Sequence, residues 1–436
     1  MKGSEHRRLM EEIRLWEAEG LIAPEQAERI RARYPEPVPK RWAVIVTSVF
    51  GALLVGLGVI LLLAYNWSDL SRSARAVLAY LPLVASLGLC GWIVFTGRTG
   101  TGLREGAGAF LALAVGASIA LVAQTYQLGG TFRAFTLAWM ILILPSVYVL
   151  DAVMPALIYL FGITGWAMGQ CHYDDNPYGF WLLLAGVVPY WIWCQWRNRD
   201  SLRGVWVLWG LVLAAGAGVA TGMHAHDPVL WFALYAAFFT ACLLAGELWG
   251  ARDLTLWGRP LTLLGGAGLG VMVFLYSFIW FWEDMDRHYR YYYWDYREKA
   301  LGVDIGLVAF FTLLAVVFLV IGFKRLKSLP LRVAGAFPLV AAALVALNGA
   351  LPDKELIPAV LMNGYAFALG VLIVFEAVRD SKLGQMNMGL VLLAALLTAR
   401  FFDADMSILG RGVAFIVLGL AFLGANGWMI RRRREA

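Results

Sequence analysis

Charge is scarce in this chain. Asp, Glu, Lys and Arg make up 15% of its 436 residues, against about 25% in soluble domains. Cysteine is scarcer still: Cys90, Cys171, Cys194 and Cys242 are the only four. None forms a C-x-x-C pair and three fall inside apolar runs, so burial as a small hydrophobe is expected rather than a disulfide framework. There is no Walker A sequence, no G-x-S-x-G and no H-E-x-x-H, which leaves an ATPase, a serine hydrolase or a zincin without support. The centres of the apolar runs hold almost no ionisable residue; Glu105, Asp151, Glu247, Asp304 and Glu376 all lie near run ends. Proton- and ion-coupled pumps ordinarily need such a group near the midplane. No cofactor is expected.

What fills the chain instead is apolar. Hydrophobic residues reach 61% and the mean hydropathy is +0.69. A bilayer-spanning helix takes roughly 20 apolar residues, and such runs recur from end to end. Membrane β-barrels alternate apolar and polar residues, whereas these runs are continuously apolar. The expected fold is therefore all-α: a polytopic helical membrane protein with about 14 transmembrane helices. The spans are read at 42–65, 76–96, 106–124, 132–150, 152–170, 178–196, 204–222, 229–249, 260–282, 301–322, 331–351, 356–377, 385–401 and 409–430. Asp151 separates two runs with almost no loop, which reads as two tightly turned helices or a re-entrant pair.

Residues 1–35 read as a soluble helical hairpin. Leu9, Ile13 and Trp16 share a helical face, Gly20 ends the first helix, and Pro24 with Glu25 opens the second. Arg29, Arg31 and Arg33 load its C-terminal end. A hairpin this small cannot bury a sufficient core alone, so residues 1–35 are expected to meet a cytoplasmic protein partner, a second copy or the membrane domain. A Pro-rich linker spans 36–41, the transmembrane helical domain 42–430, and a basic cytoplasmic tail 431–436. The polar first 40 residues leave membrane insertion to the run beginning at Trp42.

Loop charge sets the expected orientation. With the N-terminus inside, the inner loops hold 21 Lys and Arg from Arg31 onward and the outer loops 10. That bias predicts cytoplasmic N- and C-termini in a bacterial inner membrane. The net charge of +6 then reflects loops beside the membrane, not nucleic-acid binding. Membrane lipids are the expected partners.

Three stretches carry a family resemblance. They are the hairpin with Leu15, Trp16, Gly20, Leu21, Ile22 and Gln26; "LLVGLGVILLLAYNWSDL" with the later "LVAQTYQLGG"; and "ARFFDADMSILGRGVAFIVLGLAFLGANGWMIRRRR" at the C-terminus. Together they resemble the bacterial predicted-membrane-protein family known as domain of unknown function 2157. The resemblance implies a cytoplasmic hairpin on a multi-span membrane domain, and it implies no activity.

In the expected orientation these polar motifs share one depth on the outer side. Asn66, Trp67 and Asp69 end the first span, Gln124 and Tyr126 the third, and Arg400 with Asp403 the thirteenth, with Arg133 close in depth. One reading is an outward polar cleft in which Arg400 and Arg133 hold an anionic group. The other is helix capping and headgroup contact. His172, His224 and His226, with acidic neighbours, are weak metal candidates lacking the spacing of a zinc signature. The outer loop 283–299 is rich in aromatics, as at a membrane interface. Asn363, the most central polar residue, is expected to hydrogen-bond between helices.

The function expected is binding or translocation of a lipid-like or amphipathic ligand through the outward cleft. The alternatives are a membrane transferase acting on a lipid-linked substrate at the outer face, with Asp403 or Asp69 as base, and a sensor or scaffold signalling through the hairpin.

Overall fold

The computed structural model describes residues 3–33, 70–98, 100–169, 178–198, 201–221, 228–250, 256–283, 299–350 and 356–403, with Ile416 and Gly424. The expected first and last spans, the linker, the basic tail and most of the 283–299 loop lie outside them. Backbone contacts divide the chain into two units, Met1–Arg75 and Ala76–Ala436.

In the first unit, α1 (Gly3–Ala18) and α2 (Pro24–Arg33) form the hairpin. Gly20 takes φ +71° at the turn, a conformation open to glycine because it lacks a Cβ. Ile13 and Ala27 are fully buried, and Arg31 pairs with Glu17 at 2.5 Å.

The membrane helices follow. They are α3 (Arg72–Phe95), α4 (Thr101–Tyr126), α5 (Phe132–Leu150), α6 (Val153–Met168), α7 (Tyr178–Ala185), α8 (Val188–Arg197), α9 (Leu202–Thr221) and α10 (Pro228–Trp249). Then come α11 (Pro260–Leu275), α12 (Lys299–Gly322), α13 (Leu329–Gly335), α14 (Phe337–Ala350), α15 (Leu356–Arg379) and α16 (Leu383–Asp403). No strand occurs among the described residues. Eight of these helices are long and apolar enough to cross a membrane, or nine if the bent pair α13–α14 is one span. The protein is thus a polytopic all-α membrane protein, and the described residues do not by themselves reach the expected count of about 14.

Two of the expected spans lie outside the described residues, and the rest of the difference has a physical cause. Several expected spans are broken or short. The 178–196 run parts into α7 and α8 at Gly186, and the 331–351 run bends by 46° between α13 and α14. Both breaks carry glycine three residues before proline: Gly186 with Pro189, and Gly335 with Pro338. Proline has no N–H to continue the ladder. Carbonyls at the breaks also accept from side-chain donors on neighbouring helices. Tyr159 donates to Leu183 O at 2.9 Å and Tyr148 to Gly186 O; Tyr365 donates to Val333 O at 2.7 Å. The 152–170 and 260–282 runs appear as the 16-residue helices α6 and α11.

Asp151 resolves into a tight turn joining two packed helices, with its backbone left-handed at φ 51°. One core gathers α4 to α9 around Met140, Ile143, Tyr159, Ile163 and Tyr190. A second gathers α10, α11 and α13 to α16 around Tyr276, Trp282, Phe337 and Met362. A smaller cluster of α9, α10 and α12 around Val219, Leu234 and Phe238 joins them.

Small residues set the closest approaches. A Cβ on Gly265 would meet the backbone of Leu243, and one on Gly246 would lie 2.5 Å from Thr262 N. The backbones of α10 and α11 therefore touch, the packing that small residues permit in membranes. Gly108 and Gly268 likewise abut Pro155 and Phe239, whereas Gly106 and Gly270 face open space.

Candidate functional site

The third broken run builds a junction of three helices. α11 ends at Leu275, and Ser277 N and Phe278 N turn back to Phe274 O and Leu275 O. The turn leaves the Ser277 carbonyl without a helical partner. Two side chains meet it: Asn363 Nδ2 from α15 at 2.7 Å, and Arg400 Nη2 from α16. The bond to Ser277 O joins Asn363 to another helix's end, as expected, and Asn363 also donates to Ala359 O of its own helix at 2.7 Å. Trp282 Nε1 satisfies Tyr276 O at 2.9 Å. Tyr276, Trp282 and Phe337 are fully buried beside the turn, with the Tyr276 ring 4.4 Å from Phe281 and 5.6 Å from Phe337. A rigid aromatic block thus fixes the break.

Beside this junction runs an open groove of about 690 Å³, walled by Phe274, Phe278 and Trp280 on one side and by Val391, Ala395, Thr398 and Ala399 on the other. Its lining is mostly apolar. Arg400 stands next to it, its guanidinium carbon 5.1 Å from the Phe278 ring centre, within cation–π range. The groove therefore offers an apolar bed with a positive charge beside it.

The other expected site residues are distributed as follows. Gln124 and Tyr126 are exposed at the end of α4. Arg133 lies in the first turn of α5, its guanidinium carbon 5.1 Å from the Trp166 ring. These belong to the α4–α9 group, and Arg400 belongs to the group around α11, α15 and α16. Asp403 ends α16. Asn66, Trp67, Asp69, His172, His224 and His226 lie outside the described residues, as does the Asp403 side chain. No cluster of three metal-ligating side chains occurs among the described residues.

A second polar site was not anticipated. At the α5–α6 turn, Asp151 Oδ2 accepts from Arg203 Nη1 at 3.1 Å and from Arg197 Nη1 at 3.4 Å, and Oδ1 accepts from Tyr190 Oη at 3.4 Å. Arg203 also donates to Asp151 O at 3.2 Å. Glu105 reaches across from α4 and accepts from Val153 N at 3.0 Å and Met154 N at 2.7 Å. A carboxylate at a helix start satisfies orphan N–H groups and complements the dipole. Arg104 donates to Arg98 O at 2.8 Å and Leu150 O at 3.5 Å. Arg104, Trp193, Arg197, Asn198, Ser201 and Arg203 surround Asp151 about a pocket of about 310 Å³. The available signal was a lone acid between two apolar runs, with basic residues at 197–203.

The fold and these sites define a polytopic α-helical membrane protein whose polar groups gather at helix breaks and turns. Residues 14–156 match the family described as Predicted membrane protein (DUF2157), a stretch that takes in the second hairpin helix, Glu105 and the Asp151 turn. No curated protein matches the chain. No solved structure matches it.

Proposed function

We propose that this protein binds or translocates a lipid-like, amphipathic ligand, whose apolar chain lies in the groove between α11 and α16 and whose anionic group faces Arg400. The observation that carries the reading is the coincidence of an apolar groove of about 690 Å³ with an arginine held at its side by the Ser277 carbonyl. The volume falls within the roughly 300–1,000 Å³ typical of small-molecule sites. Broken membrane helices commonly border such sites, because irregular backbone is tolerated where it is buried in protein or lines a cavity. The loop charges favour a bacterial inner membrane with both termini cytoplasmic, which sets Arg400 on the outer side. The hairpin meets a cytoplasmic partner or a second copy.

A photoreactive residue at Ala395, in the full chain in nanodiscs containing anionic phospholipid, tests this. Adducts with phospholipid are expected, reduced by Phe278→Ala and shifted toward zwitterionic lipid by Arg400→Gln. Adducts only with residues 408–430 of the same chain would mean that the groove is a helix-packing surface and would refute the reading.

A further inference from the structure

We infer that the pocket around Asp151 is a binding site for a phosphate-class oxyanion, separate from the groove at Arg400. Three guanidiniums, those of Arg104, Arg197 and Arg203, line one pocket of about 310 Å³ with a single carboxylate among them, that of Asp151. Glu105, the other acid at this end, is turned away onto the Val153 and Met154 amides. The pocket lining therefore carries more positive than negative charge. Each guanidinium has five N–H donors in a planar fork, and the bonds described engage at most two nitrogens of any one of them. Arg197 holds Asp151 only at 3.4 Å, with its side chain 69% exposed. Ser201 and Asn198 add neutral polar groups to the same wall, and Trp193 an apolar one. Planar forks on a concave surface suit the tetrahedral oxygens of a phosphate.

Asp151 has a defined part in this arrangement. Its carboxylate orients Arg197 and Arg203 in the absence of the anion, through the bonds at 3.4 and 3.1 Å. An arriving phosphate competes with it for the same donors. Removing the negative charge of Asp151 should therefore strengthen phosphate binding, whereas a pocket that only locks the α5–α6 turn would show no phosphate binding in either form. The pocket lies at the end of the helices that loop charge assigns to the cytoplasm, where the phosphate can come from a lipid headgroup or from a soluble ion; the chemistry is the same.

The test is equilibrium dialysis of the full chain in a phosphate-free, uncharged maltoside detergent, with radiolabelled inorganic phosphate in one arm and short-chain phosphatidic acid in the other. Saturable binding in either arm is expected, falling with added salt. It should weaken about tenfold in Arg197→Gln, as loss of one charge-assisted bond implies, and tighten several-fold in Asp151→Asn. Arg197→Lys keeps the charge without the fork and should be intermediate, with the unfolding midpoint unchanged because Arg197 is mostly exposed. Binding in both arms identifies phosphate itself as the ligand; binding in the lipid arm alone identifies a headgroup. No saturable binding in either arm at millimolar ligand, or equal binding by the native chain and Arg197→Gln, would overturn the inference. None of these results depends on the groove at Arg400.

Discussion

Glu105→Ala should loosen the start of α6 by about 2 kcal/mol. Each hydrogen bond to a charged acceptor contributes roughly 1.5–3 kcal/mol, and a charge near a helix terminus about 0.3–1 kcal/mol. Two such bonds reach Glu105, at 3.0 and 2.7 Å. Their full sum overstates the effect, because Met154 is exposed and Glu105 only half-buried, so water can replace part of what is lost. Glu105→Gln keeps an acceptor without the charge and should cost about half as much. Hydrogen exchange reads the effect where it occurs. The Val153 and Met154 amides should exchange about thirtyfold faster in Glu105→Ala, the factor equivalent to about 2 kcal/mol, while amides in the middle of α6 change little. Leu103→Ala, an exposed neighbour on α4, serves as control. Equal protection of those two amides in Glu105→Ala and Leu103→Ala would refute the capping argument.

Other consequences can be measured on the same protein. Gly265→Ala places a methyl against the Leu243 backbone and should destabilise by about 1–3 kcal/mol in reversible detergent unfolding, whereas Gly270→Ala, which faces open space, should be nearly silent; similar losses in both would deny the close α10–α11 contact. Asn363→Leu removes the donor to Ser277 O and Ala359 O and should cost about 1–2 kcal/mol, with an unchanged midpoint arguing against the three-helix junction. Cys90, Cys194 and Cys242 are free and buried, so they should stay unlabelled by maleimide in the folded chain and label on unfolding; rapid labelling of Cys242 in the native state would contradict its position among α9, α10 and α12.

The sequence made the apolar runs legible because each helix must satisfy its own backbone in lipid. Run ends and helix ends agree closely at 132–150, where Thr131 caps the start by accepting from Ala134 N at 3.2 Å and Asp151 ends it in a left-handed turn. The breaks were harder to read. Gly186-x-x-Pro189 and Gly335-x-x-Pro338 were visible, but each break is stabilised by tyrosines distant in sequence, such as Tyr148, 38 residues from Gly186. Arg400 was singled out for its charge at a span end. Its bond to the Ser277 carbonyl, 123 residues away, depends on a turn that hydropathy does not reveal. The Asp151 pocket escaped for the same reason, since its donors come from three helices and no local spacing encodes them.

The partners of the Asp151 turn are also ordered in time. Glu105 precedes Val153 by 48 residues and is already made when α6 emerges from the ribosome. Arg197 and Arg203 follow Asp151 by 46 and 52 residues. At about 5–20 residues per second, they appear about 2–10 s after it. During synthesis the residue that caps the α5–α6 turn is therefore made before the arginines that clamp it.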